Sequence, residues 1–110
     1  MRIRFYTTVH GRSPIEEFIS QLPEETQREM IDALLLLEQG VNLAMPLSRN
    51  LSSIKTGLHE LRFRDRIGQV RLFYYIKTGE AIHALHAFRK KSRETPKKEI
   101  ALAVRRIKEI

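Results

Sequence analysis

Two neighbouring segments of the sequence place charged and aromatic side chains at every second residue. Val70-Arg71-Leu72-Phe73-Tyr74-Tyr75-Ile76-Lys77 alternates, so an extended chain puts Arg71, Phe73, Tyr75 and Lys77 on one side. Val70, Leu72, Tyr74 and Ile76 fall on the other side and read as core. The first set joins cations to flat rings, the combination that grips phosphates and stacks bases. In Leu58-His59-Glu60-Leu61-Arg62-Phe63-Arg64 the same spacing gathers Glu60, Arg62 and Arg64. Where the two faces adjoin, a guanidinium cluster spans two strands. Taken singly, each arginine solvates the open side of a one-sided sheet. Taken with the tail that follows, the cluster reads as functional.

That tail is His83-Ala84-Leu85-His86-Ala87-Phe88-Arg89-Lys90-Lys91-Ser92-Arg93. Its cations Arg89, Lys90, Lys91 and Arg93 either solvate a connector or close a phosphate-binding groove. Histidine is the natural proton carrier near neutral pH. His86, however, shares strand parity with Ile82, Ala84 and Phe88, and parity alone favours a packed structural role. His83 and His59 offer less, and His10 falls in a turn. The sequence holds no glycine-rich phosphate loop, nucleophile elbow or HExxH helix. Its histidines lack zinc spacing, and its acids gather on expected helix surfaces. No metal and no cofactor are expected.

Composition agrees with a polyanionic partner. Lys and Arg number 20 against 13 Asp and Glu, for a net charge of +7. Ordinary solubility from surface lysines is the blander account. The charge is uneven: Glu16, Glu17, Glu24, Glu25, Glu29, Asp32 and Glu38 lie together, while the bases concentrate in residues 62 to 108. A length of 110 residues with 42% apolar content suits one domain over residues 1–110. With no cysteine there is no disulfide and no thiolate metal site. No signal-peptide stretch opens the chain, and the aliphatic run Leu34 to Leu37 is too short for a bilayer. A soluble cytoplasmic protein without a membrane segment is expected.

The elements that must position these residues follow from pattern. Residues 2 to 7 alternate and predict a strand. Ser13-Pro14-Ile15-Glu16 predicts an N-cap, a first-turn proline and a capping box, with Ile15, Phe18, Ile19 and Leu22 at helical spacing. Pro23 breaks that helix. Met30, Ala33, Leu34 and Leu37 then mark a second helix, stopped at Gly40. Residues 41 to 57 lack period and read as loop. Strands are expected over 58–64, 69–77 and 81–88, joined by turns short enough to require an antiparallel meander. A final helix starts at Thr95-Pro96, capped by the threonine hydroxyl, and buries Ile100, Ala103, Val104 and Ile107. The class is α+β: a small twisted, mostly antiparallel sheet with an N-terminal helical hairpin and a C-terminal helix.

Four segments in this order carry a family likeness: Gly57 to Arg64, Val70 to Tyr75, Leu85 to Lys91, and Thr95 to Ile100. Together they resemble the HigB-like, phage-derived branch of the RelE/ParE toxin superfamily, over nearly the whole chain. The resemblance implies a RelE-like, microbial-RNase type of fold with a positively charged concave face. It implies the toxin of a type II toxin–antitoxin system, a cognate antitoxin often of helix-turn-helix type, and a toxin–antitoxin hetero-oligomer. Its RelE-like side cleaves mRNA on the ribosome; its ParE-like side poisons DNA gyrase without catalysis, and an inactive prophage-derived RNA-binding module is a further alternative. The cleavage implied is metal-independent attack of the ribose 2′-hydroxyl on the adjacent phosphorus. By matching position Arg62, Arg71 and Lys90 form the phosphate clamp, while Arg64, Arg89 and Lys91 bind flanking RNA. His86 or Tyr75 is the proton-transfer residue.

Overall fold

The computed structural model describes residues 1–91, 93 and 96–110. In chain order it runs β1 (Ile3–Phe5), α1 (Pro14–Ser20), α2 (Glu24–Glu38), β2 (Ser48–Asn50), β3 (Leu58–Arg64), β4 (Gln69–Lys77), β5 (Ala81–Lys90) and α3 (Lys97–Ile107). The α+β class is as expected. Among the described residues there are three helices and one five-stranded sheet, ordered β1-β5-β4-β3-β2. Only the β1–β5 pair is parallel.

Local chemistry sets the element ends. Pro14 starts α1 with its fixed φ, and the Ser13 hydroxyl donates to Glu16 Oε1 at 2.8 Å. No backbone N–H is capped by that side chain, so the expected capping box is reduced to a side-chain pair. Glu24 and Glu25 face the positive end of α2. Gly57, at φ +90°, enters β3 where a Cβ would lie 2.9 Å from the Ile76 carbonyl oxygen and 3.0 Å from the Tyr75 ring. Only glycine fits that approach.

One sheet face packs on α1 and α2. Ile15, Ile19, Met30, Ala33, Leu34 and Leu37 meet Leu61, Phe63, Val70, Leu72 and Ile82 there. Met30, Leu61 and Leu72 are fully buried, each contributing roughly 1.5–3 kcal/mol by leaving water. The other face carries α3, whose Ala103 and Ile107 close over Leu58, Phe73, Leu85 and Phe88. Helices therefore cover both faces, and the sheet is not one-sided.

Four expectations need correction. Residues 41 to 57 are not all loop, because Ser48–Asn50 forms the edge strand β2 against β3. Three residues are too few to show a period. β1 is shorter than expected, and β5 runs two residues further, so Arg89 and Lys90 are strand residues rather than connector. The parity assigned to His86 is also wrong. Phe73 pairs with His86 but Tyr74 pairs with Ala84, leaving Leu85 as a bulge. An extra residue flips every side chain beyond it. His86 thus shares its face with Phe73 and Phe88, while Ile82 and Ala84 face α1 and α2. The expected Thr95 cap lies outside the described residues.

Candidate nucleic-acid interface

The strand registers build one end of the α3 face in cross-strand rows. Arg64, Gln69 and Lys90 form the outermost row, and Arg62, Arg71 and Phe88 the next. Arg49, Glu60, Phe73 and His86 form the third. Four strands thus bring five cations and one carboxylate to the same patch. The helix α3 covers the apolar rows beyond.

Arg62 and Arg71 stand directly opposite each other, a like-charge pairing that costs stability. Glu60, only 1% exposed, offsets part of that cost with Oε2 3.8 Å from Arg71 Nε. The Arg71 guanidinium is itself buried at 4% exposure. Its Nη1 donates to the carbonyls of Val70 and Phe63 at 3.2 and 3.4 Å, and its Nη2 to Gln69 Oε1 at 2.6 Å. Yet the Nε atoms of both Arg62 and Arg71 are buried without a hydrogen-bond acceptor. Buried donors in that condition are rare and expensive.

Lys90 completes the patch from β5. It is 8% exposed, and its Nζ donates to the Arg93 carbonyl. Burial first, and Arg71 next, push its ammonium below the ordinary lysine range, while Glu60 pulls the other way. Burial likewise lowers Arg71, opposed by Glu60 and helped by Arg62 and Arg64. Beside Lys90 an open groove of about 650 Å³ continues between the β3–β4 turn and the chain after β5. Arg64, Arg66, Lys91 and Arg93 line it.

The structure brings together Arg62, Arg64, Arg71 and Lys90, with Lys91 exposed on the adjoining groove. Three other expected residues are placed elsewhere. Arg89 alternates with Lys90 and so leaves the patch for the opposite face; it still borders the groove, but it grips Asp65 by two hydrogen bonds of 2.7 and 3.0 Å. That grip, with the N–H groups of Gly68 and Ile67, holds the Asp65 carboxyl down at about 2. Tyr75 is half-buried beneath α3 and pairs with Leu58 and His83, four residues along β4 from Arg71. His86 also lies under α3. Its Nε2 is 2.7 Å from Glu99 Oε2, and its ring stacks on Phe88 at 5.3 Å between centroids. Burial lowers its basicity, and the Glu99 contact raises it in part.

The expected open stripe of Arg71, Phe73 and Tyr75 is therefore a second small core with a charged end. Phe73 is wholly buried and cannot stack a base without movement of α3. Sequence reading missed Arg49, which enters through the unforeseen β2, and Gln69, which holds Arg71 in place. The basic count around the β3–β4 turn was visible, but no signal tied Arg66 to a groove.

Among the described residues no helix is long and apolar enough to cross a membrane, and no group of three or more His, Asp or Glu could hold a metal ion. No curated protein matches the chain. A family model, described as phage derived protein Gp49-like (DUF891), matches residues 17–108. That span takes in α2, β2 to β5 and α3, and with them every residue of the cationic patch. The chain belongs to the Gp49-like phage-derived protein family, within the RelE/HigB-type toxin group.

Proposed function

We propose that this protein is a HigB-like toxin of a toxin–antitoxin pair, with a RelE-like fold, and that it cleaves mRNA on the ribosome. The observation that carries the reading is the pair of buried, acceptor-less Nε atoms of Arg62 and Arg71 beside Lys90. The Arg71 guanidinium, held by two carbonyls, Gln69 and Glu60, is organised in advance with Arg62 beside it for the charge of a pentavalent phosphate, where such donors act most strongly. In that chemistry the ribose O2′ bonds to phosphorus and the P–O5′ bond breaks. One proton leaves the 2′-hydroxyl, and one is delivered to the departing oxygen. Lys90, with its basicity lowered by burial, is the proton-transfer residue in this reading. His86 and Tyr75 serve the seating of α3 instead. Arg64 and Lys91 hold flanking phosphates along the groove, and Arg89 acts indirectly by fixing the β3–β4 turn through Asp65.

The family supports an antitoxin partner. Its seat is the apolar groove between β1, α1 and α2, where Ile31 and Leu35 are 46% and 48% exposed and Glu16 and Glu38 form an acidic rim. Charge complementarity then calls for a segment carrying apolar and basic side chains. Induced expression should arrest growth, and co-expression of the adjacent gene should relieve it. Primer extension on RNA from the arrested cells should show new 5′ ends within translated frames. Arrest with intact mRNA and inhibited DNA supercoiling would replace the nuclease reading with the ParE-like one.

A further inference from the structure

A second site lies on the opposite side of the sheet. Between α2 and β2 the loop of residues 40–47 roofs a cavity of about 530 Å³. Its floor is His59, Tyr74 and Ile82, and Leu37, Leu43 and Met45 close the walls. The volume falls within the roughly 300–1,000 Å³ of small-molecule sites. No Lys, Arg, Asp or Glu side chain is among its lining residues, in a chain of net charge +7. Met1 also lines it, but its α-ammonium donates to the Glu38 carbonyl at 3.1 Å, so an anionic ligand would compete with that contact for the charge.

The polar groups of the cavity are few and incompletely used. Ser48 and Tyr74 are 2% and 1% exposed, and their hydroxyls share one hydrogen bond of 2.7 Å. Two hydroxyls own two protons, and their mutual bond uses one. The second proton meets no acceptor among the described residues. The His59 imidazole stacks on the Tyr74 ring, with centroids 5.0 Å apart and planes at 11°. Burial keeps its basicity below the ordinary histidine value. In the neutral form it offers one N–H donor and one nitrogen acceptor, and neither has a hydrogen-bond partner among the described residues.

We infer that this cavity binds a small uncharged heteroaromatic molecule, its ring against the aliphatic wall and its polar atoms on the Ser48–Tyr74 hydroxyls and His59. The roof also reaches the cationic patch. Met45 Sδ accepts from Arg62 Nη1 at 3.5 Å, and the Leu47 carbonyl accepts from Arg62 N at 2.8 Å. A ligand that lifts the loop therefore shifts Arg62. A coupling of that kind needs only a difference in affinity between two loop positions.

The test is a titration of the purified protein with benzimidazole at pH 7.5, followed by amide and side-chain NMR. Saturable shifts are expected at Ser48, His59, Tyr74 and Ile82, with Arg62 moving in step and Lys91 still. Tyr74→Phe keeps the ring stack and removes a hydroxyl, and Ser48→Ala removes the other. Each should weaken binding about tenfold or more, with the α1 and α2 resonances confirming the fold. Shifts that rise linearly without saturation, shifts confined to other surfaces, or unchanged affinity in whichever variant folds would overturn the site. No cleavage is measured, so this outcome and that of the nuclease reading are independent.

Discussion

The two faces of the sheet solve one problem in opposite ways. On the α1–α2 side the alternate residues of β3, β4 and β5 are apolar except for His59 near one end and Arg89 near the other, and the helices seal the apolar stretch. On the α3 side the same strands turn from apolar to charged within two rows, and buried Glu60, Arg71 and Lys90 take the place of leucine and valine. An apolar substitute in those positions would often be no less stable. The first face is arranged for folding, and the second gives up stability to hold cations ready.

Substitutions on the two faces should separate these roles. Arg71→Ala takes a cation away from buried Glu60 and strips the patch, so it should cost roughly 3–5 kcal/mol of stability and also abolish cleavage. Leu61→Ala, on the opposite side of the neighbouring strand, should cost roughly 2–5 kcal/mol by leaving a cavity. Cleavage per folded molecule should stay unchanged there. Chemical denaturation paired with cleavage assays at low temperature reads both. Equal loss of cleavage per folded molecule in the two variants would erase the distinction.

A smaller effect concerns the seating of α3. His86 is less basic folded than unfolded, so acid protonates the unfolded chain first. Its contribution to stability is complete above the ordinary histidine value of about 6.5 and is lost as pH falls below it. His59 and His83 shift in the same direction through burial. The Tm should therefore fall between pH 7 and 5, and His86→Gln should flatten part of that slope while sparing cleavage at pH 7.5. A slope unchanged in His86→Gln would remove this residue from the linkage. Loss of cleavage with normal stability would return it to the chemistry.

The alternation of β4, the meander and the apolar stripes of all three helices were legible because each repeats its period several times. The cationic residues were legible by type. Two features were not. The Leu85 bulge carries no signature in Leu85-His86-Ala87, yet it decides which face receives His86. The burial of Arg71 and Phe73 depends on where α3 docks, and the 3.6-residue stripe of a helix names its own buried side without naming its target. Arg89 and Lys90 differ in role only because successive strand residues point to opposite faces.

The smallest effect lies in the groove. Lys91→Ala and Arg64→Ala should leave the cleavage step intact and weaken RNA binding. Each should reduce the salt dependence of log K by about 0.7 per lost phosphate contact on single-stranded RNA. Arg89→Gln should alter the turn without changing that slope, since Arg89 is committed to Asp65.

The central claim is that Arg62 and Arg71 present their orphaned donors to a scissile phosphate. It is tested most directly by product-end analysis on translating ribosomes with wild-type protein and Arg62→Ala. Arg62 is half-exposed, so the variant should fold. Wild type should leave 2′,3′-cyclic phosphate ends, and Arg62→Ala should slow their appearance by about 100- to 1,000-fold, the usual loss for one charge-stabilising donor. Undiminished cleavage by folded Arg62→Ala, or products with 5′-phosphate and 3′-hydroxyl ends, would contradict it.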